Sequence, residues 1–148
     1  RPKRTTRTRD HRPAKGDIMT AIQAVALYAG LNTLILIGLA INVSRIRRRD
    51  KVSLGTGSSE ALERAVRVHA NGIENVALGL IGLWLLTTLG LEPIWVHVLG
   101  MALTFGRAFY SYGLLSKPGP SFGRILGTGL TWLMMLASAL LLIARAFT

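Results

Sequence analysis

The sequence predicts an all-α fold: an integral membrane four-helix bundle. Half of its 148 residues are apolar and only 17% are charged, against roughly a quarter in an ordinary soluble domain. The apolar residues fall into four long blocks with no water-facing side, a pattern that suits lipid better than a water-soluble core. The two-residue alternation that builds a membrane β-barrel is absent.

Residues 1–18 are polar, rich in Arg, Thr and Pro, and without apolar period, so they are expected to be a disordered basic tail. They lack the small-residue cleavage site of a signal peptide. Met19 is the expected natural start, with the preceding stretch an extension and residues 19–148 the membrane domain. The first span is Thr20 to Ser44, uncharged throughout and longer than the roughly 20 residues that cross a bilayer core. Val52 to Ser59 is a Gly/Ser/Thr loop. A polar helix starts near Ser59 or Glu60 and runs into the second span, Asn75 to Leu91. Glu92-Pro93 makes a tight turn before the third span, Ile94 to Leu115. Pro118 and Pro120 break the chain again, and the fourth span runs from Arg124 to Ala144.

The net charge of +11 raises the question of nucleic acid, and its location answers it. Seven basic and two acidic residues lie in the tail. Much of the remaining +6 is one run, Arg45, Arg47, Arg48, Arg49 and Lys51. A basic run directly after an apolar helix marks the cytoplasmic flank of a span, so membrane lipid is the expected partner and no nucleic acid is. The second loop has only Glu92, whereas the third has Lys117 with Arg124 just beyond. The first and third loops are therefore expected in the cytoplasm, although a native basic tail would prefer that side too. With no cysteine in the chain, a disulfide, a thiolate metal site and a protein thiol nucleophile are excluded. Any sulfur chemistry must use a substrate's thiol, and no metal site is expected.

Three constellations carry chemistry. At about 100° per residue, Glu63, Arg64, Arg67, Asn71 and Glu74 form one stripe on the second helix, with His69 roughly opposite. Because the stripe continues into an apolar span, it should face a partner helix or a hydrated cavity. Two readings fit. One is a ladder of Glu63–Arg67 and Arg67–Glu74 pairs that locks helices together. The other is a site for a multiply charged zwitterion, with Arg forks on carboxylates and Glu on an ammonium. In the third span, Arg107 lies about half a span from either end and Tyr110 follows on the same face. An Arg at that depth needs a partner, and Glu74 is the expected carboxylate. Tyr112 points elsewhere, as an interfacial aromatic would. At the fourth helix, Gly123 and Gly127 form a GxxxG pair that lets helices approach closely. Arg124 sits at the helix start, where peptide N–H groups also favour anions. One polar cavity is expected to join these groups.

Together these pieces resemble the MAPEG family, the membrane-associated proteins of eicosanoid and glutathione metabolism, in a bacterial-type member. The resemblance rests on Glu63-Arg64, Arg67, His69, Asn71 and Glu74, in the order E-R-x-x-R-x-H-x-N-x-x-E. It rests also on Arg107, Tyr110 and Gly113 as R-x-x-Y-x-x-G, and on the long basic first loop. It covers residues 20–145. The resemblance implies a homotrimer in the bacterial inner membrane, with glutathione as co-substrate bound between subunits. It assigns thiolate stabilisation to Arg124 and glutathione binding to Arg47, Arg67, Asn71, Glu74, Arg107 and Tyr110. The implied activity is that of a glutathione transferase or peroxidase-like enzyme acting on a lipophilic small-molecule substrate. Three positions depart from the family pattern: Leu114 replaces a second tyrosine, Ala70 an arginine found in some members, and Ile125 the serine of the prostaglandin-forming branch. They argue against the prostaglandin and leukotriene branches. The rival reading is a non-catalytic lipid-binding or scaffold protein of the same fold. A small drug exporter is disfavoured, since the first span has no carboxylate to couple protons.

Overall fold

A computed structural model describes residues 19–117 and 119–147, so the expected disordered tail lies outside the described residues. The chain forms four α-helices: α1 (Ala21–Asp50), α2 (Glu60–Thr88), α3 (Pro93–Ser116) and α4 (Phe122–Ala146). Each start has a local cause. Thr20 closes a capping box with Gln23, Ser59 accepts from the Leu62 N–H, Pro93 stands in the first turn of α3, and Ser121 accepts from the Arg124 N–H. These caps satisfy N–H groups that would otherwise be stranded. The first helix runs six residues beyond the predicted span, so the basic run through Arg49 is helical.

Helix length and loop length fix the topology. The shortest helix, α3, has 24 residues and is therefore about 36 Å long. Four residues connect α2 to α3, and they reach at most about 14 Å. Consecutive helices must run antiparallel, which brings loops 1 and 3 to one end of the bundle. Helices α1 and α4 each pack on α2 and α3 but not on each other, and α3 touches all three neighbours.

Three helices, α1, α2 and α4, are long and apolar enough to cross a membrane. The third has the length but a lower apolar density, because His97, Thr104, Arg107 and Tyr110 interrupt it. Those groups turn into the bundle: His97 meets Tyr28, Thr104 meets Asn32, and Arg107 is buried. The outward faces are apolar, as with Leu34 and Ile37 on α1 and Leu133, Leu136 and Leu140 on α4. Such surfaces suit hydrocarbon. This is an integral membrane protein.

Two apolar clusters divide the interior. The larger contains Tyr28, Leu83, Leu86, Val96, Leu103 and Met134. The smaller contains Leu39, Val68 and Leu114, with Tyr110 packed against it. Along α3, Arg107 falls between Leu103 of the first cluster and Leu114 of the second. A polar layer therefore crosses the bundle between two greasy ones.

Candidate functional site

Arg107 is the hub of that layer, with 3% of its surface exposed. Its guanidinium donates to Asn71 Oδ1 at 2.8 Å on α2. On α4 it donates to Thr131 Oγ1 from Nε at 3.0 Å and from a terminal nitrogen at 2.5 Å, and to the Gly127 carbonyl at 3.4 Å. The Tyr110 ring lies 5.1 Å from the guanidinium carbon, a cation–π contact one turn along α3. Four neutral groups from three helices thus surround one cation.

The expected Arg107–Glu74 bond is not formed: Glu74 is exposed and has no partner among the described residues. Two causes explain the correction. Glu74 follows Asn71 by three residues, which turns it about 60° away around α2 and one turn along it. Close packing of α3 on α4 then supplies other oxygens. A Cβ on Gly106 would meet Thr131 Oγ1 at 2.5 Å, and one on Gly127 would meet the Gly106 carbonyl at 2.5 Å. Only hydrogen fits at either place, so Gly106 and Gly127 bring hydroxyl and carbonyl acceptors within reach of the guanidinium.

The rest of the stripe points outward. Glu63, Arg67 and Glu74 are exposed, Asn71 is half-buried, and His69 is half-buried on another side of α2. Neither ladder pair, Glu63–Arg67 or Arg67–Glu74, forms among the described residues. The pairs present are Arg64–Glu60 at 3.4 Å and Arg49–Asp50 at 2.6 Å. In a single chain Asn71 alone ties the stripe to another helix, while Glu63, Arg67 and Glu74 decorate the outer surface of α2.

Arg124 occupies the first turn of α4, where Ser121 Oγ accepts from its N–H and donates to the Gly113 carbonyl at 3.0 Å. This tie explains the glycine of the third-span pattern: a Cβ on Gly113 would lie 2.7 Å from Ser121 Oγ. The Arg124 guanidinium is half-buried and has no hydrogen-bond or ion-pair partner among the described residues. It lines a furrow of about 440 Å³ with Pro120, Ile125, Thr128, Gly129 and Trp132. None of Arg67, Asn71, Glu74, Arg107 or Tyr110 lines that furrow. Arg47 stands apart again, donating to the Gly55 carbonyl at 2.8 Å in the first loop. The structure thus brings Asn71, Arg107 and Tyr110 together and leaves Arg47, Arg67, Glu74 and Arg124 outside their cluster.

Thr131 is the site residue that the sequence reading missed. It repeats the four-residue spacing of Gly123 and Gly127, which puts a hydroxyl on the close-contact face of α4. That spacing was the available signal.

The comparison with known proteins decides the kinship. The MAPEG family model matches residues 25–144, most of the chain and all four helices. The chain belongs to the MAPEG family. Among curated relatives, the inner membrane protein YecN of Escherichia coli (strain K12) is 33% identical over 88 residues, 60% of this chain and 67% of YecN. An uncharacterized protein of Synechocystis, sll1147, is 36% identical over 89 residues, 60% of this chain and 64% of its own. Against the MAPEG pattern, two departures now have places. Leu114 is buried in the smaller apolar cluster, and Ile125 is exposed beside Arg124 on the outer face of α4.

Proposed function

We propose that this MAPEG protein is a membrane-bound glutathione transferase or peroxidase-like enzyme that works as a homotrimer. The observation that carries the reading is a split between braced and partnerless polar groups. Asn71, Arg107 and Tyr110 are braced inside one chain, whereas Arg67, Glu74 and Arg124 have no partner among the described residues. Charged groups within or beside a span need a charged partner, water or a ligand. Apposing α2 of one subunit to α4 of the next would supply all three in one chamber between chains.

In that chamber the residues have complementary work. Arg67 grips a glutathione carboxylate, Glu74 accepts from the ammonium, and Asn71 fixes the peptide with the side that Arg107 does not use. Arg47 enters only as an outer contact, since Gly55 already holds one of its donors. Arg124, with the N–H groups of the α4 start, stabilises the thiolate. A thiol of pKa about 8.5 is only a few per cent ionised at neutral pH, and lowering that pKa by two units takes about 2.7 kcal/mol. The thiolate sulfur then bonds to an electrophilic carbon of a lipophile that arrives through the bilayer. The leaving group departs with the bonding electrons, and the thiol proton goes to solvent. Loops 1 and 3 face the cytoplasm by their charge, and the name of YecN supports an inner-membrane location.

The second reading, a non-catalytic lipid-binding or scaffold protein, is favoured by Leu114 and Ile125, which put apolar side chains where active relatives carry hydroxyls. Thermal unfolding of the detergent-solubilised protein separates the two. Reduced glutathione at a hundred times its dissociation constant stabilises by about 2.7 kcal/mol, so the enzyme reading expects a clear upward shift at millimolar glutathione. An unmoved transition would leave the scaffold.

A further inference from the structure

The end of α1 holds a charged rim that shares only Arg47 with the outer edge of the proposed glutathione chamber. Arg47, Arg48 and Lys51 gather with Ser44, Val52 and Ser53 around an open cleft of about 500 Å³. The helix ends by turning Lys51 into the left-handed region, φ 53° and ψ 37°, and Lys51 is the one non-glycine residue with positive φ among those described. Glycine is the usual occupant of such a helix end, because a Cβ is disfavoured there. A lysine keeps a third cation on the rim, and a disfavoured conformation held by its surroundings is a pointer to function.

The acid of this corner does not neutralise the rim. Asp50 is held by Arg49 at 2.6 Å and accepts from the Ser59 hydroxyl at 2.5 Å. Arg48 donates only to the Ser44 carbonyl, at 3.4 Å, and no ion pair reaches Arg47, Arg48 or Lys51 among the described residues. Ile37, Ile41, Ser44 and Arg48 follow each other at spacings of four, three and four, so they share one face of α1. All four are exposed. An apolar track therefore climbs the helix and ends in a hydroxyl and a cation.

We propose that this cleft binds an anionic phospholipid, its phosphate held by Arg48 and Lys51 with the Ser44 and Ser53 hydroxyls, and an acyl chain lying along Ile41 and Ile37. Basic clusters just beyond a span attract anionic lipids of that leaflet, and each cation adds roughly five-fold to the affinity. Arg48, Lys51, Ser44 and Ser53, which hold the phosphate, have no part in the proposed glutathione binding.

The test measures lipid retained by the full chain after exchange into mixed phosphatidylglycerol and phosphatidylcholine, read by native mass spectrometry. Wild type should retain phosphatidylglycerol in preference to phosphatidylcholine, and Arg48→Ala and Lys51→Ala should each reduce that preference about five-fold. Lys51→Gly is the decisive variant: glycine suits the left-handed turn, so the unfolding temperature should hold or rise while the preference falls. Wild type without preference, or Lys51→Gly with undiminished preference, would overturn the proposal. So would free glycerol phosphate displacing the lipid at equal concentration, since that would mark a site for a soluble anion.

Discussion

Arg107 carries a charge into the middle of an apolar bundle and meets neutral oxygens there, from Asn71, Thr131 and Gly127, beside the Tyr110 ring. A guanidinium so placed has four of its five donors occupied without the cost of desolvating a second ion. The hydroxyl of Thr131 also donates to the Gly127 carbonyl at 2.9 Å, which fixes its lone pairs toward Arg107. Thr131→Val, nearly the same in shape, strips the guanidinium of two contacts and should cost about 1–3 kcal/mol of unfolding free energy. Equilibrium unfolding in mixed micelles reads this directly; a variant as stable as wild type would mean that Thr131 does not hold the charge. The depth of Arg107 was legible in the sequence, because a lone basic residue in an apolar run stands out. Its partner was not. A threonine 24 positions away leaves no charge signal, and Glu74, the carboxylate at similar depth, faces out of the chain.

The α3–α4 pair is the tightest joint of the bundle, and glycines on both helices make it so. A Cβ on Gly127 would press on the Gly106 carbonyl and on the backbone of Tyr110, which cannot yield as a side-chain tip can, whereas one on Gly129 meets nothing within 4 Å. Gly127→Ala should therefore push α4 off α3 and destabilise by about 1–3 kcal/mol. Gly129→Ala, two residues away on the open side of the same helix, should stabilise by up to about 1 kcal/mol through helix propensity. Thermal unfolding of the two variants side by side checks the pair, and equal responses would contradict the packing described. At this scale the sequence was readable. All four helices were expected, and the expected start of α2 near Ser59 or Glu60 agrees with the structure. The miss lay at the end of α1, which continues through Arg45 to Asp50. Loss of hydropathy marks where a helix leaves the bilayer, not where its hydrogen bonding stops.

At the scale of the whole molecule, one chain carries charges on its outer surface that have no partner among the described residues. Its lipid-facing surfaces are apolar, yet the outer side of α2 presents Arg67 and Glu74, and Arg124 opens onto a furrow of α4. In the proposed trimer these groups meet across neighbouring subunits, where Glu74 serves as counter-charge to the arginines of the chamber as well as to the glutathione ammonium, so Glu74→Ala should weaken assembly. Cross-linking in detergent would read this as a loss of trimer; unchanged trimer yield would show that Glu74 does not serve the interface. The family motif on α2 was legible because its charged residues recur within one short stretch. Where they point was not, since a stripe on a helix looks the same whether it faces its own bundle or another chain. The most direct measurement is the ultraviolet absorbance of glutathione thiolate bound to the purified protein. Wild type should raise this signal at neutral pH, and Arg124→Ala should abolish it while the oligomer remains intact. Full thiolate absorbance in the Arg124→Ala variant, or none in the wild type, would contradict the proposed thiolate chemistry.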